Sequence, residues 1–202
     1  MRLPRLIDGY AVLKGAISKE TAELLSLQFE IRRNSMYYEK GISPFDEDKL
    51  YEFGDAQVEK SFALYGFVAF EGLLLQLLPT MTTITGKRLL PAYAYGRIYY
   101  NGAVMHKHTD RPSCEYSATL TLSTDGVPWD IWMSDSKGEA KPLTLREGDM
   151  CVYKGSELEH WRDEYSGDKQ MQVFLHYVDA DGQYKDHAYD KRPMLGLKKD
   201  EV

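Results

Sequence analysis

Residues 97–110 read RIYYNGAVMHKHTD, and this stretch carries the strongest functional signal of the chain. His108 and Asp110 are separated by one residue, so on an extended strand both side chains project to the same side. Together with the distant His160, this pair supplies two imidazoles and one carboxylate. That is the facial triad of non-haem Fe(II), which leaves coordination positions open for oxygen and a substrate. We therefore predict a metal site formed by His108, Asp110 and His160.

One alternative ligand set stays open at this point. On a regular strand His106 shares the face of His108, so His106, His108 and His160 would form a three-histidine site. The set with Asp110 is favoured because a facial iron site takes one carboxylate.

The residues around the pair indicate how the third ligand arrives. Asn101-Gly102 is a turn signal that folds the chain back, so that Tyr99 faces the same cavity as the His-x-Asp pair. Further on, residues 147–161 read EGDMCVYKGSELEHW. Here Gly148-Asp149 is a turn, an apolar strand follows, and His160 begins another strand.

The patterning changes from helical to strand-like near residue 90. A helix is predicted after Ser18, which is a good N-cap, and a second from near Asp55 to Leu78, ended by Pro79. From Leu89 onward several short strands alternate with turns, which is typical of a sandwich or barrel. We predict an α+β protein with a mainly β core and N-terminal helices packed on one sheet.

The predicted organisation is a single domain, 1–202. Residues 1–90 form mainly helical support, residues 91–180 form the β core, and residues 181–202 form a polar tail along the surface.

Composition excludes several classes of function. The net charge is −6, and the 25 basic residues form no long run, which argues against a nucleic-acid partner. The longest apolar stretch, 62–78, is shorter than the roughly 20 residues that a membrane span needs, and we interpret it as a buried helix.

The cysteine content indicates the cellular compartment. Two cysteines, Cys114 and Cys151, are too few for a disulfide framework and fit a reducing compartment. No secretory signal precedes the domain, so we expect a cytoplasmic protein without membrane contact. The sequence makes no prediction of oligomeric state.

These motifs resemble the Fe(II)- and 2-oxoglutarate-dependent dioxygenases, and most nearly the prolyl-4-hydroxylase-like branch. That branch has a Tyr, a Gly three residues on, then His-x-Asp, and a Gly-Asp turn ahead of the distal His. The resemblance covers Tyr93 to Val178. It implies a double-stranded β-helix, or jelly roll, in which His108, Asp110 and His160 bind the catalytic iron. It also implies that Tyr99 reaches the 2-oxoglutarate carboxylate.

The anchor of the cosubstrate departs from the family pattern. The family places a basic residue about ten positions after the distal His, to pair with the C5 carboxylate, but this chain has Gln170 there, with Lys169 beside it. Arg162 points inward together with His160 if the strand is regular, because the two residues share a face. It then lies across a hairpin from Gln170 or Gln172. We expect Arg162 to be the anchor, Lys169 to be the second choice, and Gln172 to be a further contact of the cosubstrate.

Two charged residues after the metal carboxylate are candidates for binding the substrate. Arg111 follows Asp110 directly, which suggests a role at the mouth of the pocket. Glu115 would neutralise Arg111 or meet a cationic substrate. Arg97, by contrast, is expected only to form a surface ion pair.

The function implied by the resemblance is hydroxylation of a C–H bond in a peptidyl or small-molecule substrate. O₂ and 2-oxoglutarate are consumed, and succinate and CO₂ are released. The related nucleic-acid demethylases place two arginines six residues apart after the distal His, a pair that this chain lacks.

The alternative is a cupin-type metalloprotein, such as an isomerase, a dioxygenase without a cosubstrate, or a ligand sensor. Gly102, His108 and Glu115 come close to the first cupin motif, although that motif has His where Asp110 stands. Such a protein would bind its metal through His106, His108 or Glu115.

Overall fold

Strands dominate the computed structural model of the chain, which describes residues 3–135 and 137–197. In chain order its helices and strands are β1 (Tyr10–Leu13), α1 (Lys19–Glu39), β2 (Ser61–Tyr65), α2 (Val68–Thr85), β3 (Leu89–Tyr100), β4 (Met105–His108), β5 (Tyr116–Thr124), β6 (Ile131–Ser134), β7 (Ala140–Leu143), β8 (Met150–Tyr153), β9 (His160–Arg162) and β10 (Lys169–Asp179). Short 3₁₀ turns at 47–49, 112–114 and 185–191 complete the described secondary structure.

The strands form two antiparallel sheets. The larger has the order β1-β8-β5-β10-β3-β2 and the smaller the order β4-β9-β6-β7. Side chains from both sheets meet in one buried cluster, for example Met133 of β6, Tyr153 of β8 and Phe174 of β10. The two sheets therefore face each other, and the space between them is where the side chains of the candidate site converge.

The other face of the large sheet carries the helices. Phe29 of α1 and Leu74 of α2 share a second buried cluster with Leu120 of β5 and Val173 of β10. Strand β10 shows the alternation directly: Val173 belongs to the helix side, whereas Phe174 belongs to the cluster between the sheets. The predicted mainly β core with helices on one sheet is confirmed.

The first helix begins as predicted, and the second does not. The Ser18 hydroxyl accepts a hydrogen bond from the Thr21 amide at 3.2 Å, which caps α1. Residues 61–65, however, form strand β2 at the edge of the large sheet, paired with β3. The edge of β3 would otherwise be unpaired, and pairing with it gives residues 61–65 a ladder of hydrogen bonds. This pairing outweighs the helix-like spacing of their apolar side chains.

Pro79 lies inside α2 rather than at its end, and the helix continues to Thr85, where Gly86 adopts a left-handed conformation. By length and composition alone, α2 could cross a membrane. Its inner face is nevertheless buried against the sheet, which is the arrangement of a core helix: Phe70, Leu73, Leu74, Leu77, Met81 and Ile84.

The tail predicted to run along the surface is fixed to the body of the protein by two buried charges. Asp190 binds Arg111, and Arg192 donates to Glu71 Oε1 at 2.6 Å. The ion pair of Arg192 is almost fully buried on both sides. Most described side chains of 181–197 are exposed or half-buried, so these two buried charges fasten a segment that otherwise runs along the surface, and residues 198–202 lie outside the described residues.

Candidate active site

The three predicted metal ligands come together between the sheets. Pairing of β4 with β9 sets His108 opposite His160, and their rings lie 4.3 Å apart between centroids. Asp110 Oδ1 is 3.7 Å from Nε2 of His108 and 3.6 Å from Nε2 of His160. The three ligand atoms all lie within 4.8 Å of one another, so a single ion could contact all of them.

The hydrogen bonds of the two imidazoles prepare them for a metal. Nδ1 of His108 lies 2.7 Å from the His106 carbonyl oxygen, and Nδ1 of His160 lies 3.0 Å from that of Leu158. A carbonyl can only accept, so each Nδ1 carries the proton and each Nε2 keeps its lone pair for the triad. Burial lowers the pKa of His160, which keeps this ring neutral and able to bind a cation.

The three-histidine alternative is not assembled, because strand β4 contains an irregularity. Met105 pairs with Arg162 and His108 with His160, so the register shifts between Met105 and His108. His106 is exposed to solvent instead of sharing the inward face of His108. A β-bulge re-aims side chains in this way, and strict alternation does not anticipate it.

Asp110 is held by groups outside the triad. Its backbone amide donates to the Gly155 carbonyl at 2.8 Å, and its Oδ2 accepts from the Ser117 hydroxyl at 3.0 Å. The same hydroxyl lies 2.9 Å from Nδ1 of His176. Oδ2 is thus engaged on the protein side, which leaves Oδ1 facing the two imidazoles.

Asp110 also belongs to a second group of potential metal ligands, together with Cys114 and His176. Burial raises the pKa of the Cys114 thiol to about 12, and the Tyr93 hydroxyl lies 3.1 Å from its sulfur. A metal binds the thiolate, so this neutral, buried thiol is a poor ligand beside the triad. Burial also lowers the pKa of His176 to about 4. Its ring packs against Tyr93 with centroids 4.5 Å apart.

A cavity of about 250 Å³ opens over the triad. Its walls are rich in aromatic rings, from Tyr65, Tyr93, Tyr95, Tyr153 and Phe174. Two arginines, Arg97 and Arg111, also line it. Such a mixture of aromatic faces with a few fixed polar groups is typical of a small-molecule pocket.

Arg97 is buried in this wall instead of lying at the surface. Its side chain is 3% exposed and forms an ion pair with Asp55, whose carboxylate also accepts from the Tyr95 hydroxyl at 2.5 Å. Burial acts to raise the pKa of Asp55, but the charge of Arg97 and the hydrogen bonds from Tyr95, Arg97 and the Val58 amide together outweigh it, and the net shift is downward. The expectation of a surface ion pair for Arg97 is wrong because β2 and the loop before it cover this part of β3.

Gln57 was not anticipated from the sequence. Its Nε2 lies 2.9 Å from Nε2 of His108, and its Oε1 accepts from Arg97 at 3.1 Å. It belongs to the loop before β2, and neither a motif nor a periodic pattern marks it.

The expected anchor, Arg162, is fully buried on the inward face of β9. Nη1 donates to the Trp129 carbonyl at 2.7 Å, and the guanidinium lies 4.7 Å over the Trp129 ring. Nε and Nη2 have no hydrogen-bond partner among the described residues. Burial lowers the pKa of this guanidinium. Tyr99 is also fully buried, with its ring 4.8 Å from that of Trp129 and its hydroxyl 3.5 Å from Arg97 Nη1.

Of the other two expected cosubstrate contacts, only Gln172 faces the space between the sheets. Lys169 sits on the helix side of β10, where its ammonium pairs with Glu30 of α1. Gln172 faces the space between the sheets, but its Oε1 already accepts from the hydroxyls of Thr119 and Thr121, at 3.2 and 3.3 Å.

Of the two expected substrate-binding residues, only Arg111 lines the cavity. Its guanidinium lies 4.5 Å over the Tyr93 ring and is neutralised by Asp190 rather than by Glu115. Glu115 accepts from the Asp179 amide at 2.8 Å and does not line the cavity. With His106 exposed and Glu115 elsewhere, the residues of the cupin-type alternative are not brought together.

No protein-family model and no curated protein matches the chain. Solved structures do match its fold. A prolyl-4-hydroxylase of Pseudomonas putida superposes with a TM-score of 0.60 at 13% identity, over 85% of this chain and 92% of that one. HygX of Streptomyces hygroscopicus, with nickel, 2-oxoglutarate and hygromycin B bound, gives a TM-score of 0.62 at 13% identity, over 86% and 84%.

The viral collagen prolyl hydroxylase vCPH of Paramecium Bursaria Chlorella virus-1, in its 2-oxoglutarate complex, gives a TM-score of 0.58 at 8% identity, over 83% of this chain and 94% of that one. At such identities the likeness is one of fold. The chain therefore has the fold of the Fe(II)- and 2-oxoglutarate-dependent oxygenases, as its motifs predicted.

Proposed function

We propose that the protein is a non-haem Fe(II)- and 2-oxoglutarate-dependent oxygenase that hydroxylates a C–H bond of a small-molecule or peptidyl substrate. The observation that carries this proposal is the triad of His108, Asp110 and His160, whose two Nε2 atoms and one carboxylate oxygen all lie within 4.8 Å of one another. The two facing antiparallel sheets are in keeping with a double-stranded β-helix, or jelly roll. Similar folds carry the same groups: HygX with iron or with nickel and 2-oxoglutarate, and vCPH with 2-oxoglutarate.

The donor set suits Fe(II) and suits harder or softer ions less well. Two imidazoles and one carboxylate would hold Fe(II) and leave coordination positions open, which is what an oxygenase needs. When bound, Fe(II) and 2-oxoglutarate would supply the oxidising chemistry, with O₂ as oxidant and succinate and CO₂ as coproducts. The protein would hold the ions and the substrate in position and exclude water.

Arg162 is the best candidate to bind the far carboxylate of 2-oxoglutarate. A buried guanidinium with unpartnered Nε and Nη2 is costly unless an anion meets it. Arg162 shares the inward face of β9 with His160, so it lies on the metal side of the small sheet. Tyr99 belongs to the same buried cluster as Trp129, over which the Arg162 guanidinium lies, and would contribute its hydroxyl there.

The substrate would enter from the side of the cavity where Arg111 lies. The aromatic walls favour flat or apolar parts of a substrate, and Arg111 favours a hydrogen-bond acceptor at its mouth. Among similar folds, HygX has been solved with hygromycin B, and SnoN, an epimerase from nogalamycin biosynthesis whose structure also matches, has been solved with nogalamycin RO, whereas others are prolyl hydroxylases. Both cysteines are free and buried, which agrees with the proposed cytoplasmic location.

The test is spectroscopic and does not require the natural substrate. Anaerobic protein with Fe(II) should develop a weak visible charge-transfer band when 2-oxoglutarate is added, and aeration should release succinate. Asp110→Ala should abolish the band, whereas Glu115→Ala should leave it unchanged. If no band develops and no succinate forms, the proposal fails. If Fe(II) still binds to Asp110→Ala and no band develops in any of the proteins, the cupin-type alternative is favoured, because such a protein would bind metal through His106, His108 or Glu115 and ignore 2-oxoglutarate.

A further inference from the structure

Gln57 connects a metal ligand to the wall of the cavity. Its Nε2 lies 2.9 Å from Nε2 of His108, and its Oε1 lies 3.1 Å from Nη2 of Arg97. Both partners line the same cavity as Gln57 itself. The contact is with the one nitrogen of His108 that the proposed metal site needs.

The orientation of this amide follows from its neighbours. A guanidinium can only donate, so the atom of Gln57 that faces Arg97 must be the oxygen. Nδ1 of His108 donates to the His106 carbonyl at 2.7 Å, which makes Nε2 the acceptor nitrogen of the ring. The Gln57 amide nitrogen therefore donates a proton to the lone pair of His108 Nε2.

That lone pair cannot serve two partners. A metal ion binds a neutral imidazole along the same direction that an N–H donor uses. Binding of the metal must therefore break the hydrogen bond between Gln57 and His108. We propose that Gln57 is a gate residue, which closes the metal site of the metal-free protein and competes with the metal for His108. This inference rests on the metal site of the proposed function.

The loop that carries Gln57 is fixed, so that only its side chain has to move. Oδ1 of Asp55 accepts from the backbone amides of Gln57 and Val58, both at 3.0 Å. The other carboxylate oxygen binds Arg97 and the Tyr95 hydroxyl. Because Asp55 holds the backbone, rotation of the Gln57 side chain releases His108 without moving the loop.

The proposed competition predicts that a substitution of Gln57, next to a metal ligand, increases the affinity for the metal instead of lowering it. Removing a group that supports a metal site weakens binding, but removing a competitor strengthens it. Gln57→Leu keeps a similar volume and has no N–H to donate. A typical net hydrogen bond corresponds to roughly a two- to ten-fold change in an equilibrium constant, so Gln57→Leu should bind Mn(II) or Co(II) about two- to ten-fold more tightly.

The experiment is anaerobic titration calorimetry of the metal-free protein with Mn(II) and Co(II), for the wild type, Gln57→Leu and Gln183→Leu. Gln183 is an exposed glutamine in the tail and serves as the matched control, with an expected dissociation constant equal to that of the wild type. A second measurement follows the side-chain amide resonance of Gln57, assigned by its loss in Gln57→Leu. That resonance should shift when diamagnetic Zn(II) is added to the wild type.

Tighter binding in Gln57→Leu together with a shift of the amide resonance supports the gate. Equal or weaker binding in Gln57→Leu overturns it, as does an amide resonance that Zn(II) leaves in place. If the wild type binds none of these ions, the metal site itself is wrong, and the proposed function fails with it.

Discussion

Asp190 binds Arg111 through two hydrogen bonds, Nη1 to Oδ1 at 2.5 Å and Nη2 to Oδ2 at 2.8 Å, across 79 positions of sequence. The Tyr65 hydroxyl donates to the same carboxylate at 2.9 Å. Asp190 has a φ of 56°, and its neighbours Tyr189 and Lys191 are also left-handed. Such backbone costs on the order of 1–3 kcal/mol per non-glycine residue, and it persists where other contacts hold it. The ion pair thus fixes the tail against the mouth of the cavity.

Replacing the Asp190 carboxylate should cost stability in a way that depends on pH. Burial acts to raise the pKa of Asp190, but the hydrogen bonds and charge of Arg111 outweigh it and hold the pKa well below its ordinary value. A depressed carboxyl pKa contributes stability above the unfolded-state value, near 3.9, and that contribution is lost as the pH falls toward the folded-state value. Asp190→Asn should therefore lower the free energy of unfolding by about 1–3 kcal/mol at pH 7.

Urea unfolding of the wild type and Asp190→Asn at pH 7, 5, 3.5 and 2 measures this effect. The two proteins should differ by nearly the same amount at pH 7 and 5, and the difference should begin to shrink only below the unfolded-state value and be smallest at pH 2. Asp181→Asn is the control, since Asp181 pairs with Arg88 at an exposed site and should contribute less than about 1 kcal/mol. A difference between wild type and Asp190→Asn that does not shrink at acid pH would show that the charge of Asp190 is not what holds the tail.

Substitutions of Arg162 and of Lys169 should affect the affinity for 2-oxoglutarate differently. Arg162→Met removes a buried guanidinium whose Nε and Nη2 lack partners among the described residues, so the protein without ligand should be as stable as the wild type or more so. The same change removes the proposed anchor, and the loss of a charge-assisted pair should weaken 2-oxoglutarate binding roughly ten- to hundred-fold. Lys169→Met only releases Glu30 of α1 and should leave that affinity unchanged.

Thermal melting with and without Mn(II) and 2-oxoglutarate reports both quantities at once, because a ligand that binds the native state raises Tm. The wild type and Lys169→Met should gain a similar increase in Tm from 2-oxoglutarate, and Arg162→Met should lose it. If Arg162→Met keeps the increase and Lys169→Met loses it, the anchor has been assigned to the wrong residue.

The proposed metal ligands could be identified from the sequence because their arrangement is largely local. One intervening residue places His108 and Asp110 on one side, and a turn followed by an apolar strand leads to His160. The alternation along β10 is similarly local, so a mainly β core with one helix-covered face could be predicted. The irregularity between Met105 and His108 could not, since a bulge adds one residue without a change in composition.

The polar partners of the cavity's arginines could not be predicted, because they come from a loop and the tail, which have no periodic pattern. Asp55 and Gln57 reach the site from a loop, and Asp190 reaches it from the tail. Each is a single polar residue in a polar stretch, where sequence gives no reason to prefer one over its neighbours. Arg97, the partner of Asp55 and Gln57, was predicted to form a surface ion pair for the same reason.

Ser117 should influence the affinity for the metal although it is not one of the proposed ligands. Its hydroxyl donates to Asp110 Oδ2 at 3.0 Å and lies 2.9 Å from Nδ1 of His176, so it orients the carboxylate that Oδ1 presents to the triad. Outer groups of this kind change metal affinity by about 10- to 100-fold, and we expect Ser117→Ala to weaken Mn(II) binding by about ten-fold. Ser123→Ala, in the same strand, is the matched control and should bind as the wild type does. Equal affinity in both variants would mean that Asp110 is oriented without Ser117.

Gly155 lies where the backbone passes close to the carboxylate of Asp110, the proposed metal ligand. A Cβ at this position would lie closer than 3.0 Å to the Cys114 carbonyl oxygen, to Asp110 Oδ2 and to the Ser117 hydroxyl. One of these neighbours is backbone, and the Gly155 carbonyl also accepts the Asp110 amide at 2.8 Å, so the added methyl cannot be accommodated by a side chain turning away. Overpacking typically lowers the free energy of unfolding by about 1–3 kcal/mol, and here the displaced group includes the carboxylate of Asp110. Gly155→Ala should therefore lower the Tm and weaken Mn(II) binding at least about ten-fold, a loss comparable to that of an orienting partner.

The matched control for this change is Gly72→Ala, in the exposed face of α2, where an added Cβ meets no atom within 4 Å. Alanine in a helix interior is favoured over glycine by roughly 0.5–1 kcal/mol, so Gly72→Ala should raise the Tm and leave Mn(II) binding unchanged. Calorimetric titration with Mn(II) and thermal melting of both variants measure the contrast. Wild-type metal affinity in Gly155→Ala would show that Asp110 does not need the close approach of this backbone to take its place in the triad.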